Sequence, residues 1–365
     1  MLKMLFLLHL PPPVHGSSVI GKSIAESKLL NETINGCYIN LLASKNVKST
    51  GKLTSKKLFH ALFVMLRIVK QVLFFKPELC YVALTTTGIA FYRDFIYVLI
   101  LKIFGVKIIF HLHNKGVSRF RNPLKKAIYR YVFNNAKVIL LSKSLYSDIQ
   151  EYVSPKDVFI CPNGISPSTL LINNKPKNTP VKLLFLSNLI ISKGVYVLID
   201  ALSILEAKGL DFSCDLVGGE GDISRPLIEK YISTKNLQDK TCYRGKKNGK
   251  YKYECYRNAD IFVFPTFYKK ECFPLVVLEA MQQSLPVIST DEGGIPNIVE
   301  DGVTGFIVEK QNPVALAEKI ELLLKDYEIR INMGQNGYLK YKRYYTLEKF
   351  ENNMKEIFNS YAQKQ

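Results

Sequence analysis

The sequence predicts an α/β protein of two doubly wound domains, and three observations carry that prediction. The chain has 365 residues, more than one ordinary hydrophobic core needs. Short apolar runs alternate with helix-length segments in two series, the pattern of parallel sheets with helices on both faces. Between the series, residues 166–180 are rich in Pro, Asn, Ser and Thr and read as a linker.

In the first series the candidate strands are Met4–Leu8, Cys37–Leu41, Cys80–Leu84, Lys107–His111, Lys137–Leu141 and Val158–Cys161. The second series offers Lys182–Ser187, Ser213–Val217, Thr241–Arg244, Asp260–Phe264, Pro286–Ser289 and Gly305–Val308. Helices fit between these strands, for example at Val195–Lys208 and Pro313–Asp326, with a last one at Leu347–Tyr361. Two such sheets are expected to face each other across a cleft at their strand ends.

Composition narrows the class. Hydrophobic residues at 47% and charged residues at 22% suit a folded soluble protein. Seven scattered cysteines with no C-x-x-C pair argue against a disulfide framework or zinc site and for a reducing cytosol. Met1–Leu10 is read as a buried first strand, because no small-residue cleavage site follows it. No apolar run reaches the roughly 18 residues a membrane span needs.

The net charge of +19 is unevenly placed. Residues 1–175 hold 24 Lys+Arg against 7 Asp+Glu, so +17, and the remainder holds only +2. Lys45, Lys48, Lys52, Lys56 and Lys57 precede or open an apolar, helix-length segment, Leu58–Phe75, which carries Arg67 and Lys70. Two readings stay open: a half-buried helix with a solvated basic face, or a helix lying on an anionic membrane surface. Nucleic-acid binding would rest on charge alone and is not expected.

The densest chemical signal is Glu271-Cys-Phe-Pro-Leu-Val-Val-Leu-Glu279, between the strand-like runs Ile261–Thr266 and Leu285–Thr290. Pro274 suits the first turn of a helix, since its missing N–H would be unpaired there. Val276–Gln282 then forms that helix, whose free N–H groups make an anion site beside Glu271. Glu279 lies about two turns on and within about 80° of the same face. The two carboxylates either accept from sugar hydroxyls near a bound phosphate or act as a helix cap and an ion-pair partner; spacing alone leaves both open.

From Glu271 to Val308 the chain reads ECFPLVVLEAMQQSLPVISTDEGGIPNIVEDGVTGFIV. This resembles the retaining nucleotide-sugar glycosyltransferases of the GT-B fold, family 4, whose signature joins E-x7-E to P-V-I, a Gly-Gly turn and D-G-x-T-G-F. Val158–Ile165 resembles that family's P-N-G step, Leu186–Gly194 its phosphate-binding lysine loop and Ala259–Thr266 its A-D strand. The resemblance covers the second half of the chain almost throughout and the first half weakly.

The resemblance implies a GT-B fold, two Rossmann-like domains facing across a cleft. Residues 1–170 would bind the acceptor, 171–345 the nucleotide-sugar donor, and 346–365 would cross back to the first domain. It assigns Lys193 to a phosphate clamp, Glu271 to donor-sugar hydroxyls and Glu279 to the ribose. The backbone at Phe273, Pro274, Leu275 and Val276 would lie near sugar and phosphate, and Gly16 near the diphosphate. His113 would sit against the donor sugar, making His113, Lys193 and Glu271 the catalytic set. His111 is expected on the opposite side of the strand from His113. Asn188, counted with the donor-binding residues, stands where the family has an arginine, and Pro274 where it has a glycine; Lys269 and Lys270 are either substitutes for that arginine or solvated. Gly293-Gly294 is expected to serve the turn.

Charge on the departing diphosphate would then be met by fixed cations and amides. No D-x-D triplet is present, so no metal is expected. No cofactor is implied beyond the substrate, a UDP-sugar rather than a GDP-sugar. The implied setting is surface polysaccharide synthesis on a lipid-diphosphate-linked saccharide, at the cytoplasmic face of the cell membrane. The alternatives are an impaired homologue acting as a binding subunit and a nucleotide-sugar epimerase of similar fold.

Overall fold

A computed structural model describes residues 1–43, 55–119, 122–168 and 179–362. Lys45, Lys48, Lys52 and linker residues 169–178 lie outside the described residues. The chain divides into two compact units, Met1–Gly164 with Leu347–Gln365, and Ile165–Thr346.

The N-terminal unit runs β1 (Leu2–Leu8), α1 (Gly16–Glu26), α2 (Lys28–Thr33), β2 (Ile34–Asn40), α3 (Ser55–Phe74), β3 (Leu79–Val82), α4 (Ile89–Ile103), β4 (Lys107–Leu112), α5 (Pro123–Phe133), β5 (Ala136–Leu140) and β6 (Val158–Ile160). Its strands form a parallel sheet in the order β2-β1-β3-β4-β5-β6. The centre is apolar without alternation because helices cover both faces. Met4, Leu5, Phe6, Leu7 and Leu8 are all fully buried. α1 starts with a capping box between His15 and Ser18, and α5 with an Asn122 cap and Pro123.

The C-terminal unit runs β7 (Val181–Leu186), α6 (Val195–Ala207), β8 (Phe212–Val217), α7 (Arg225–Thr234), β9 (Thr241–Gly245), α8 (Gly249–Arg257), β10 (Ile261–Phe264), α9 (Leu275–Gln282), β11 (Val287–Thr290), α10 (Ile295–Ile298), β12 (Gly305–Val308), α11 (Pro313–Lys325) and α12 (Tyr327–Tyr344). Its sheet is also parallel, in the order β12-β11-β10-β7-β8-β9. The segments entering and leaving this unit pair side by side, with Ile165 N–H donating to Tyr345 O at 3.0 Å. α13 (Leu347–Ala362) then packs in the N-terminal unit. Its Phe358 ring lies 5.9 Å from Phe6 and 6.2 Å from Tyr81.

All twelve expected strands are present among the described residues, their ends displaced by at most three residues. The start of α9 differs from expectation. Pro274 is the N-cap, with ψ 118, and the helix begins at Leu275. The extended ψ places Pro274 outside the helix, so its missing N–H is lost from the loop rather than from the first turn.

The strand orders locate the chemistry. In the N-terminal unit the order reverses between β1 and β3. In the C-terminal unit it reverses between β7 and β10. Open parallel sheets bind ligands outside the carboxyl ends of the strands at such switch points.

Candidate active site

In the C-terminal unit, the loops after β7 and β10 carry Lys193 and Glu271. Phe267 N–H and Thr266 Oγ1 both donate to Ser192 O, at 2.8 and 3.3 Å, and this ties the two loops together. Gly194 makes the approach feasible. It has φ +88, and a Cβ there would lie 2.1 Å from Pro265 O. Lys193 Nζ consequently meets Glu271 Oε2 at 2.5 Å. The ammonium sits 4.5 Å from the Tyr268 ring centroid and 5.4 Å from that of Phe264. Both side chains of the pair are largely buried, at 15% and 11% exposure. An ammonium has three donors. One engaged by Glu271 leaves others for an incoming anion.

Glu271 is held from behind by the Gly293-Gly294 turn. Gly293 has φ +61, and a Cβ would lie 2.4 Å from Glu271 O. Gly294 N–H donates to Cys272 O at 2.6 Å. This is turn chemistry, as the sequence suggested. The Phe273, Pro274, Leu275 and Val276 backbone forms the α9 entrance next to Glu271.

Glu279 lies on α9 and is buried. Its Oε1 is 2.5 Å from Lys252 Nζ, and its Oε2 accepts from Tyr256 Oη at 2.9 Å. Lys252 and Tyr256 stand one turn apart on α8, so one helix face presents both. Sequence reading missed them. Asn188 Oδ1 accepts from Gly219 N–H at 3.3 Å, joining the loops after β7 and β8. Lys269 and Lys270 are exposed.

In the N-terminal unit, the carboxyl ends of β1, β3 and β4 gather four of the five histidines. His9 Nδ1 bonds Ser17 Oγ at 2.8 Å, and His15 Nδ1 accepts from Ser18 N–H at 3.3 Å. His111 Nδ1 bonds Tyr81 Oη at 2.7 Å. The His111 and His113 rings are 4.1 Å apart. That corrects the expectation that they point to opposite sides. Positions i and i+2 of a strand share a face. His111 is fully buried under α13, with its ring 6.5 Å from Phe350, whereas His113 is half-buried.

These rings are kept uncharged. Burial, then Arg93 and His15, lowers His9 to about 3. Burial, then His9 and His15, lowers His113 to about 3. Burial likewise lowers His15 and His111. Arg93 is itself paired with the fully buried Asp94 at 2.6 Å. Beyond His113 the chain is fixed by Asp148, which accepts from Gly116, Val117 and Ser118 N–H at 2.7, 3.1 and 3.1 Å. Gly16 opens α1, and a Cβ there would meet nothing within 4 Å. Packing does not demand a glycine at that position.

The model for the glycosyl transferases group 1 family matches residues 169–340. An uncharacterized glycosyltransferase of Methanocaldococcus jannaschii is 32% identical over 228 residues, 62% of this chain and 61% of its own length. CapM of Staphylococcus aureus, a capsular polysaccharide biosynthesis glycosyltransferase, is 30% identical over 199 residues, 52% of this chain and 51% of its own. The matched region thus spans between half and two thirds of these curated relatives. Anabaena HepE in complex with UDP superposes with a TM-score of 0.75 at 17% identity, covering 99% of this chain and 100% of HepE. A Rickettsia africae glycosyltransferase gives 0.77 at 19% identity, covering 98% of each chain. These likenesses establish the GT-B architecture, two Rossmann-like units.

Proposed function

We propose, for a chain whose residues 169–340 match the model of the glycosyl transferases group 1, that the protein transfers a sugar from a nucleotide donor to a saccharide acceptor. The observation that carries this reading is the 2.5 Å Lys193–Glu271 pair at the switch point of the C-terminal sheet. A UDP-sugar is the favoured donor; HepE has been solved with UDP and with UDP-glucose. The donor's anomeric C–O bond breaks with its electron pair leaving on the diphosphate. The acceptor hydroxyl oxygen bonds to the same carbon, and its proton passes to an oxygen of the departing diphosphate.

Lys193 and the α9 entrance stabilise the charge growing on the diphosphate. Glu271 accepts from donor-sugar hydroxyls and Glu279 from the ribose. Within the N-terminal unit, uncharged His113, just after β4, and Gly16, which opens α1, are the residues we assign to the donor sugar and the diphosphate. The reaction retains anomeric configuration and needs no metal or cofactor. The acceptor is a lipid-diphosphate-linked saccharide in capsule, O-antigen or exopolysaccharide synthesis, reached from the cytoplasmic face of the membrane.

The test is incubation with a panel of UDP-, GDP- and ADP-sugars, reading nucleotide release, beside thermal shifts with the free nucleotides. A ligand at 100 times its Kd stabilises by about 2.7 kcal/mol. Release from a UDP-sugar is expected. A UDP-induced shift with no release from any donor would instead favour a binding subunit.

A further inference from the structure

We propose that the outer faces of α3 and α4 form a docking surface for an anionic lipid bilayer. α3 is apolar on two opposite sides. Val64, Ile68 and Val72 are buried. Leu58, Phe59, Leu62, Phe63, Leu66 and Phe74 face out, with Phe59 73% and Phe74 79% exposed. A water-facing helix surface is normally polar, and an apolar one marks an interaction site. α4 packs beside α3, with Tyr97 Oη donating to Ala61 O at 3.0 Å. It carries its own exposed stripe, Ile89, Tyr92, Ile96 and Ile103.

Charge selects the occupant. α3 has no acidic residue but holds Lys56, Lys57, Arg67 and Lys70. Lys56 and Lys70 are exposed, and the Arg67 guanidinium lies 5.9 Å from the Phe63 ring centroid. Apolar side chains flanked by cations are what a helix lying in an anionic interface needs. A second copy would bring another face of the same sign, within a half of the chain that carries +17 of the +19 net charge, and like charges oppose that contact. Among the described residues no helix is long and apolar enough to cross a membrane, so the contact is peripheral. The inference rests on the transferase reading only for its purpose, reaching a lipid-borne acceptor.

The experiment is co-sedimentation of the full chain with phosphatidylcholine vesicles, with and without phosphatidylglycerol. Binding is expected only with phosphatidylglycerol. It should weaken as salt rises from about 0.1 M to about 1 M and the Debye length falls from about 10 Å to about 3 Å. Leu62→Gln/Phe63→Gln/Leu66→Gln should lower binding at least about tenfold by removing apolar insertion. Lys56→Gln/Lys70→Gln should lower it about 25-fold, from ~1 kcal/mol per basic residue. The lysine variant disturbs no packed side chain and decides the matter if the apolar variant melts early. No sedimentation of wild type with phosphatidylglycerol, or wild-type binding by both variants, overturns the proposal. So does a concentration-dependent dimer that the apolar substitutions abolish. Nucleotide release without vesicles should match wild type in both variants. Wild type that releases nucleotide yet fails to sediment with phosphatidylglycerol therefore sinks the docking surface alone, and wild type that sediments yet releases no nucleotide sinks the transferase reading alone.

Discussion

The two switch points solve the same electrostatic problem in opposite ways. In the C-terminal unit full charges are brought out of water already paired, Lys193 with Glu271 and Lys252 with Glu279. In the N-terminal unit the buried rings are uncharged, and the nearby guanidinium of Arg93 is committed to Asp94. Yet the N-terminal half carries nearly all the net positive charge. Among the described residues of that half, the lysines and arginines are exposed or half-buried, Lys125 excepted. In one unit buried charge is made tolerable by a carboxylate partner; in the other, desolvation keeps the rings free of charge.

The sharpest break would come from Lys193→Ala. Removing one group that stabilises developing charge costs on the order of 10²–10³ in rate, read as nucleotide release under saturating donor. A wild-type rate would end the role given to the paired cation. Glu271→Ala should also lower chiefly turnover, while Glu279→Ala weakens nucleotide binding, measured by titration.

A smaller effect should follow Lys252→Met. It leaves the Glu279 carboxylate buried and without the ammonium, with the Tyr256 hydroxyl still donating to it. An under-satisfied buried group costs about 1–3 kcal/mol, measurable by urea unfolding. Adding Glu279→Gln should recover part of that loss. Unchanged stability in the single variant would mean that the pair is not held out of water as the geometry indicates.

The neutral histidines predict a pH signature. The folded pKa of His9 and of His113 is about 3, below the usual 6.5. Between those values the unfolded chain binds more protons, so stability is full above pH 6.5 and falls as pH drops toward 3. Melting temperature should decline from pH 7 to pH 5, and His113→Asn should flatten that decline. A slope unaltered by His113→Asn would assign the effect to other groups. The smallest expected effect is none at all: EDTA should leave nucleotide release unchanged. Loss restored by Mg²⁺ or Mn²⁺ would show that the paired cations are not the whole of the charge stabilisation.

The sheets were legible because buried parallel strands read as continuous apolar runs. Glu271, Lys193 and the Gly293-Gly294 turn were legible because motif residues sit at strand ends, where switch points lie. The partners of Glu279 were not. Lys252 and Tyr256 stand 27 and 23 residues away, and nothing local marks them. The side of His111 was misread although the strand period of two fixes it. The helix expected over Val276–Gln282 with Pro274 in its first turn begins instead at Leu275, because an extended proline serves as a cap as readily as a first-turn residue.

The return of α13 to the N-terminal unit bears on how the chain is made. Phe350 and Phe358 cover His111, Phe6 and Tyr81. A ribosome delivers β1 to β6 first, but the helix that seals them arrives only after residues 165–346. At ~5–20 residues per second, the nascent sheet waits roughly 10–40 s with that face open. The second unit has every one of its strands and helices in hand before the first does. Chaperone engagement during synthesis should therefore centre on the Phe6–Tyr81 face, and a stop codon placed before Leu347 should release a chain whose second unit is complete and whose first is not.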